Sequence, residues 1–124
     1  MIARIWYGYT KPQNADAYEA LLKTKVFPGI LARNIAGFRR IELLRAPVEE
    51  EVEFATVMWF DSMESVKAFA GADYEIAVVP PKAREVLKRF DSRSRHYEVR
   101  EQRMRTKPEP NERVGSACPS SRFA

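Results

Sequence analysis

His96 is the one side chain in this 124-residue sequence whose ordinary pKa lies near neutrality. Glu98 follows two residues later, on the same side if that stretch is a strand, and Glu42 is a second carboxylate that could orient the ring. A histidine with an orienting acid is the pattern of a general base. Arg4 and Arg40 are cations that could hold an oxyanion. Trp6 and Trp59 offer flat surfaces on which an aromatic ring could stack. Tyr74 and Glu75 come soon after Gly71 and could line a cavity mouth. Each group also has a plainer reading. His96 fits a sheet-face histidine satisfied by charged neighbours, and the tryptophans fit core or interface aromatics. Tyr74 and Glu75 fit a helix-capping loop, and Arg40 with Glu42 fits an ion pair of little net value. A single histidine and a single cysteine, Cys118, cannot build a zinc site, and no phosphate loop or nucleophile triad is present.

The elements that must position these groups follow from pattern. Residues 2–9 alternate as a strand with apolar residues on both faces. Turn chemistry at 10–14 leads to a helix from Ala15 or Asp16, with Asn14 as its cap and Tyr18, Leu21 and Leu22 on its apolar side. Pro28–Gly29 predicts a break or kink before a last short turn at 30–33. Residues 38–45 form a second strand, and an acidic loop at 46–51 joins it to a third at 53–60 as an antiparallel hairpin. Asp61 or Ser62 caps a helix carrying Met63, Val66, Phe69 and Ala70 on one face, and Gly71 ends it. Pro80–Pro81 opens a further helix with Ala83, Val86, Leu87 and Phe90 as its buried stripe. Residues 95–100 make the fourth strand.

The order is β–α–β–β–α–β. It predicts an α+β, ferredoxin-like domain with a four-stranded antiparallel sheet and both helices on one face. The domain spans 1–102. Residues 103–124, rich in proline, polar and small residues, read as a disordered tail. The net charge of +4 gathers towards the C-terminus, but no aromatic residues are interleaved at a single-strand-binding spacing, so no nucleic-acid partner is expected. No apolar run nears the ~18 residues of a membrane span, the first residues lack a signal-peptide pattern, and a lone cysteine excludes an internal disulfide. A cytoplasmic location is the expectation.

Strand parity divides the sheet. With Ile5, Ile41, Leu43, Tyr97 and Val99 under the helices, the opposite face carries Ile2, Arg4, Trp6, Phe38, Arg40, Glu42, Leu44, His96 and Glu98. Such a mixture of large apolar and charged groups predicts a second copy packed against it, hence a homodimer. A chamber between sheet and helices, or between two sheets, would take a small ligand.

The element order, Pro28–Gly29 followed by Gly37–Phe38, and the run from Val57 through Trp59 and Ser62 into Val66–Lys67–Ala68–Phe69 resemble the antibiotic biosynthesis monooxygenase family. The resemblance covers about residues 1–101. It implies a dimeric α+β barrel and a cofactor-independent monooxygenase acting on a small aromatic or quinol-type substrate. In that case His96 would take the phenolic proton, Glu98 or Glu42 would orient it, and Arg4 or Arg40 would hold the phenolate. The alternative is a non-catalytic, ligand-binding or stress-associated barrel. The family's haem-degrading branch uses an Asn in the first strand, a Trp ending the third and a His near the second helix. Only Trp59 matches, so no haem is expected.

Overall fold

The computed structural model describes residues 1–105. Five antiparallel strands build one sheet: β1 (Ile2–Thr10), β2 (Phe38–Val48), β3 (Glu51–Phe60), β4 (Arg89–Phe90) and β5 (Arg95–Glu98). β1 is central. It pairs with β3 on one side and with β4 and β5 in turn on the other, and β2 forms the far edge beyond β3. This is the α+β ferredoxin-like arrangement, with its last strand divided in two. Cys118 and most of the expected tail lie outside the described residues.

The first helical segment does not break at Pro28. It runs as α1 (Ala15–Leu21), a π-helical stretch (Leu22–Val26) and α2 (Phe27–Ala32). The widened turn lies just before Pro28, where a π-helical stretch lets the chain carry a proline, which has no N–H to donate, without ending the helix. α3 (Met63–Ala70) is capped by Ser62, whose hydroxyl accepts from the Ser65 N–H at 3.4 Å, and it ends at Gly71 with φ of +92°. α4 (Pro81–Val86) is shorter than the apolar stripe predicts. Leu87 turns extended, and Phe90 joins the sheet rather than the helix. The Lys88 and Asp91 N–H groups donate to the Tyr9 and Tyr7 carbonyls at 2.7 and 3.0 Å, so pairing with β1 outweighs helical propensity. The acidic loop is also shorter than expected. Ala46, Pro47 and Val48 continue β2, and Glu49 takes the positive φ that a tight hairpin turn demands.

The register assigns the faces. Ile2, Arg4, Trp6, Gly8 and Thr10 lie opposite Phe60, Met58, Thr56, Phe54 and Val52. Cross-strand partners share a face. Phe54 and Phe60 are wholly buried, with Tyr18 stacked edge-on at 4.8 Å from Phe54 and Phe69 at 5.9 Å from Phe60. That face therefore lies under the helices. Arg4 pairs with His96 and Ile2 with Glu98, which places β5's alternate residues there as well. The expected division is thus reversed for the first and last strands: Ile2, Arg4, Trp6 and His96 belong to the covered face, and Ile5 and Tyr97 to the open one. Phe38, opposite Phe60, also packs on the covered side, beyond the bulge at 38–40. Ile41 and Leu43 face the helices as predicted, opposite Met58 and Thr56. β1 carries apolar residues on both sides, so its own pattern cannot choose. The choice is made by its register with β3, whose larger side chains fill the core.

Candidate functional site

Between the sheet and the helices lies a cavity of about 60 Å3. Trp6, Thr56 and Met58 rise from the sheet, Leu22, Phe27 and Ile30 come from the first helical segment, and Val79, Pro80 and Ser94 close one side. Arg4 is the only cation in this wall. Its position on β1 fixes it to the covered face, and its residue is only 3% exposed. One guanidinium nitrogen donates to the Tyr74 carbonyl and lies 2.9 Å from Nε2 of His96, and the other donates to the Ile76 carbonyl at 3.4 Å. The Arg4 guanidinium also sits 5.4 Å from the centre of the Phe69 ring. No carboxylate pairs with Arg4 among the described residues. Burial lowers its pKa to about 10, so it stays charged at neutral pH. A positive charge therefore stands uncompensated against an apolar hollow.

His96 supports Arg4 from behind and is not part of the cavity wall. It faces an outer groove with Tyr74, Arg93 and Tyr97. Its ring meets Tyr74 edge-on at 5.1 Å. Burial lowers its pKa, and the Arg4 charge lowers it further against a smaller opposing pull from Glu75. A neutral imidazole protonated on Nδ1 can accept from Arg4 through Nε2, and protonation of Nε2 would remove that acceptor. Trp6 is held by its indole N–H, which donates to the Asp91 carbonyl at 2.6 Å, and by a tilted contact with Phe90 at 5.9 Å.

The remaining sequence candidates stand elsewhere. Trp59, Arg40 and Glu42 cluster on the open face: the Trp59 indole N–H donates to Glu42 at 3.0 Å, and the Arg40 guanidinium lies 4.6 Å over the Trp59 ring. Glu98 is exposed at the sheet edge and pairs with Arg100 at 3.3 Å. So Arg4, Trp6, His96 and Tyr74 come together, while Arg40, Trp59 and Glu98 do not join them. Sequence reasoning did not identify the part of the wall opposite the sheet, in particular Phe27 and Ile30 of α2 and Val79 and Pro80 of the extended chain before α4. The signal available was the Pro80–Pro81 pair, which holds the chain extended where it crosses the cavity.

No family model matches the chain, and no curated protein sequence does. Solved structures do. A Bacillus cereus protein assigned as an antibiotic biosynthesis monooxygenase superposes with a TM-score of 0.58 at 13% identity, covering 86% of this chain and 98% of that one. A dimeric ferredoxin-like protein from an uncultured marine organism gives 0.62 at 17% identity, covering 84% and 97%. Rv0793 from Mycobacterium tuberculosis gives 0.51 at 18% identity, covering 82% and 96%. At the level of the fold, the chain is similar to these antibiotic biosynthesis monooxygenase and dimeric ferredoxin-like structures. The resemblance read from the sequence holds at that level. Identities this low say nothing further about chemistry.

Proposed function

We propose that this chain is a homodimeric, monooxygenase-like barrel that takes a small aromatic or quinol-type molecule into the cavity between sheet and helices, without a bound cofactor. One observation carries the reading: a buried, charged arginine with no acidic partner among the described residues lines a hollow walled mostly by aromatic and aliphatic side chains, Trp6 among them. A hydroxyl bound against Arg4 would lose its proton more readily, because the guanidinium stabilises the oxyanion in a site with little water. The electron-rich anion is the species able to reduce dioxygen. Trp6 would supply the stacking surface, and His96 would act through Arg4 by fixing its guanidinium. Arg40, Glu42 and Trp59 would belong to the seam between two copies.

The second reading is a barrel that binds its ligand without converting it. It is favoured by the wall itself, which holds no carboxylate and no histidine to receive a proton. Oxygen uptake with 1,4-naphthohydroquinone, corrected for its uncatalysed oxidation, separates the two. Turnover by the parent chain, reduced about tenfold or more in Arg4→Gln, is the expected result. Binding without oxygen uptake would leave the second reading.

A further inference from the structure

A second hollow opens on the surface beside the first. It is a groove of about 560 Å3 between the first helical segment, α3 and the chain at 78–82. Val26, Ile30, Phe69, Val78 and Pro80 line both hollows, so the groove is the vestibule of the cavity. Its floor is apolar. Its charged residues are Lys25, Arg33 and Lys82, with no acid among the lining residues. None of the three pairs with a carboxylate among the described residues. Arg33 donates instead to the Ala68 and Phe69 carbonyls, at 3.3 and 3.1 Å. The Phe69 ring lies between the two hollows, with Arg33 at 5.2 Å from its centre and buried Arg4 at 5.4 Å. Three cations at the mouth and one at the inner wall, over apolar surface throughout, complement a single kind of molecule.

We infer that the ligand of this cavity is an amphipathic carboxylate, an aromatic or alkyl-aromatic acid, whose charged group docks on Arg4 while its apolar body extends towards the groove. The inference rests on the reading of the cavity as the ligand site; it puts a carboxylate, in place of a quinol hydroxyl, on Arg4, and so deepens the reading in which the ligand is bound without being converted. The physical reason is that a guanidinium taken out of water without a counter-ion is costly, and an arriving carboxylate supplies both the charge and the paired acceptors that fit it. Lys25, Arg33 and Lys82 have a different task. Solvated cations around an apolar mouth raise the local concentration of anions and speed capture, an effect that salt suppresses. Thr56 and Ser94 are the small polar residues of the inner wall.

Calorimetric titration of the full chain with 4-butylbenzoate and with its neutral isostere 4-butylbenzamide tests this. The benzoate is expected to bind about tenfold to a hundredfold more tightly than the amide, and Arg4→Gln, which retains a donor for the Tyr74 carbonyl, to erase that preference. The association rate of the benzoate should fall about threefold or more between 0.05 and 0.5 M salt, and this dependence should flatten in a Lys25→Ala, Lys82→Ala double variant. Equal affinity for benzoate and benzamide would overturn the charge assignment and leave the cavity reading intact. Failure of both to bind would overturn both. The comparison in the unaltered chain is decisive alone if Arg4→Gln does not fold.

Discussion

Arg4 and His96 form a hydrogen-bonded pair beneath the helices. Burial first, and the Arg4 charge second, keep the imidazole neutral, and the neutral imidazole supplies an acceptor to a cation that has no acidic partner among the described residues. This has a consequence for pH. In the unfolded chain the ring takes its proton near 6.5, and in the folded chain only at lower pH. Between those two values the unfolded state binds more protons, so stability is full above about 6.5 and declines as pH falls through the folded value. Urea midpoints measured from pH 7.5 down to 5 should decline, and His96→Gln, which keeps an acceptor without titrating, should flatten the part of that decline lying nearest 6.5. An unchanged slope in His96→Gln would remove the pair from the acid response.

The start of β2 packs tightly against the start of α3. Gly37 has φ of +84°, and its carbonyl accepts from the Asp61 N–H at 2.8 Å, tying the loop before β2 to the end of β3. A Cβ at this position would fall 1.9 Å from the Ser65 hydroxyl and 2.8 Å from its Cβ. Both the backbone angle and the space therefore require glycine. Gly37→Ala should cost about 2–3 kcal/mol from the left-handed strain and the displaced helix start together, read as a lower midpoint in chemical unfolding. Adding Ser65→Gly should recover the steric part and leave the backbone part. Similar competition explains the short α4: its apolar stripe suits a longer helix, but the β1 edge offers Lys88 and Asp91 backbone partners that only an extended chain can use.

On the scale of the whole molecule, the helices cover one side of the sheet and leave Ile5, Tyr7, Trp59, Leu44 and Tyr97 on the other. Leu44 and Tyr97 are 54% and 47% exposed in the single chain. An open sheet face of this kind is what a second copy would bury, with Arg40, Glu42 and Trp59 as a polar cluster on its β2 side. Leu44→Glu tests the arrangement, because the side chain makes little contact within one chain. Sedimentation should find the parent as a dimer at micromolar concentration and Leu44→Glu as a monomer of unchanged secondary structure. A parent that sediments as a single chain would remove the dimer from the proposed function.

The element order, the hairpin, the caps at Ser62 and Gly71 and the ferredoxin-like class were all legible in the sequence, because turn chemistry and the alternation of side chains are local. Arg4, Trp6, His96 and Tyr74 were among the candidates legible there, alongside Arg40, Glu98 and Trp59, with nothing in the sequence to separate the two groups. Which side of the sheet they occupy was not legible. A strand that is apolar on both sides carries no mark of its own orientation, and only the register between β1 and β3 puts Arg4 beneath the helices rather than between two sheets. That one decision separates Arg4 and Trp6 from Arg40 and Trp59, and it makes a buried charge out of what strand parity had assigned to a seam.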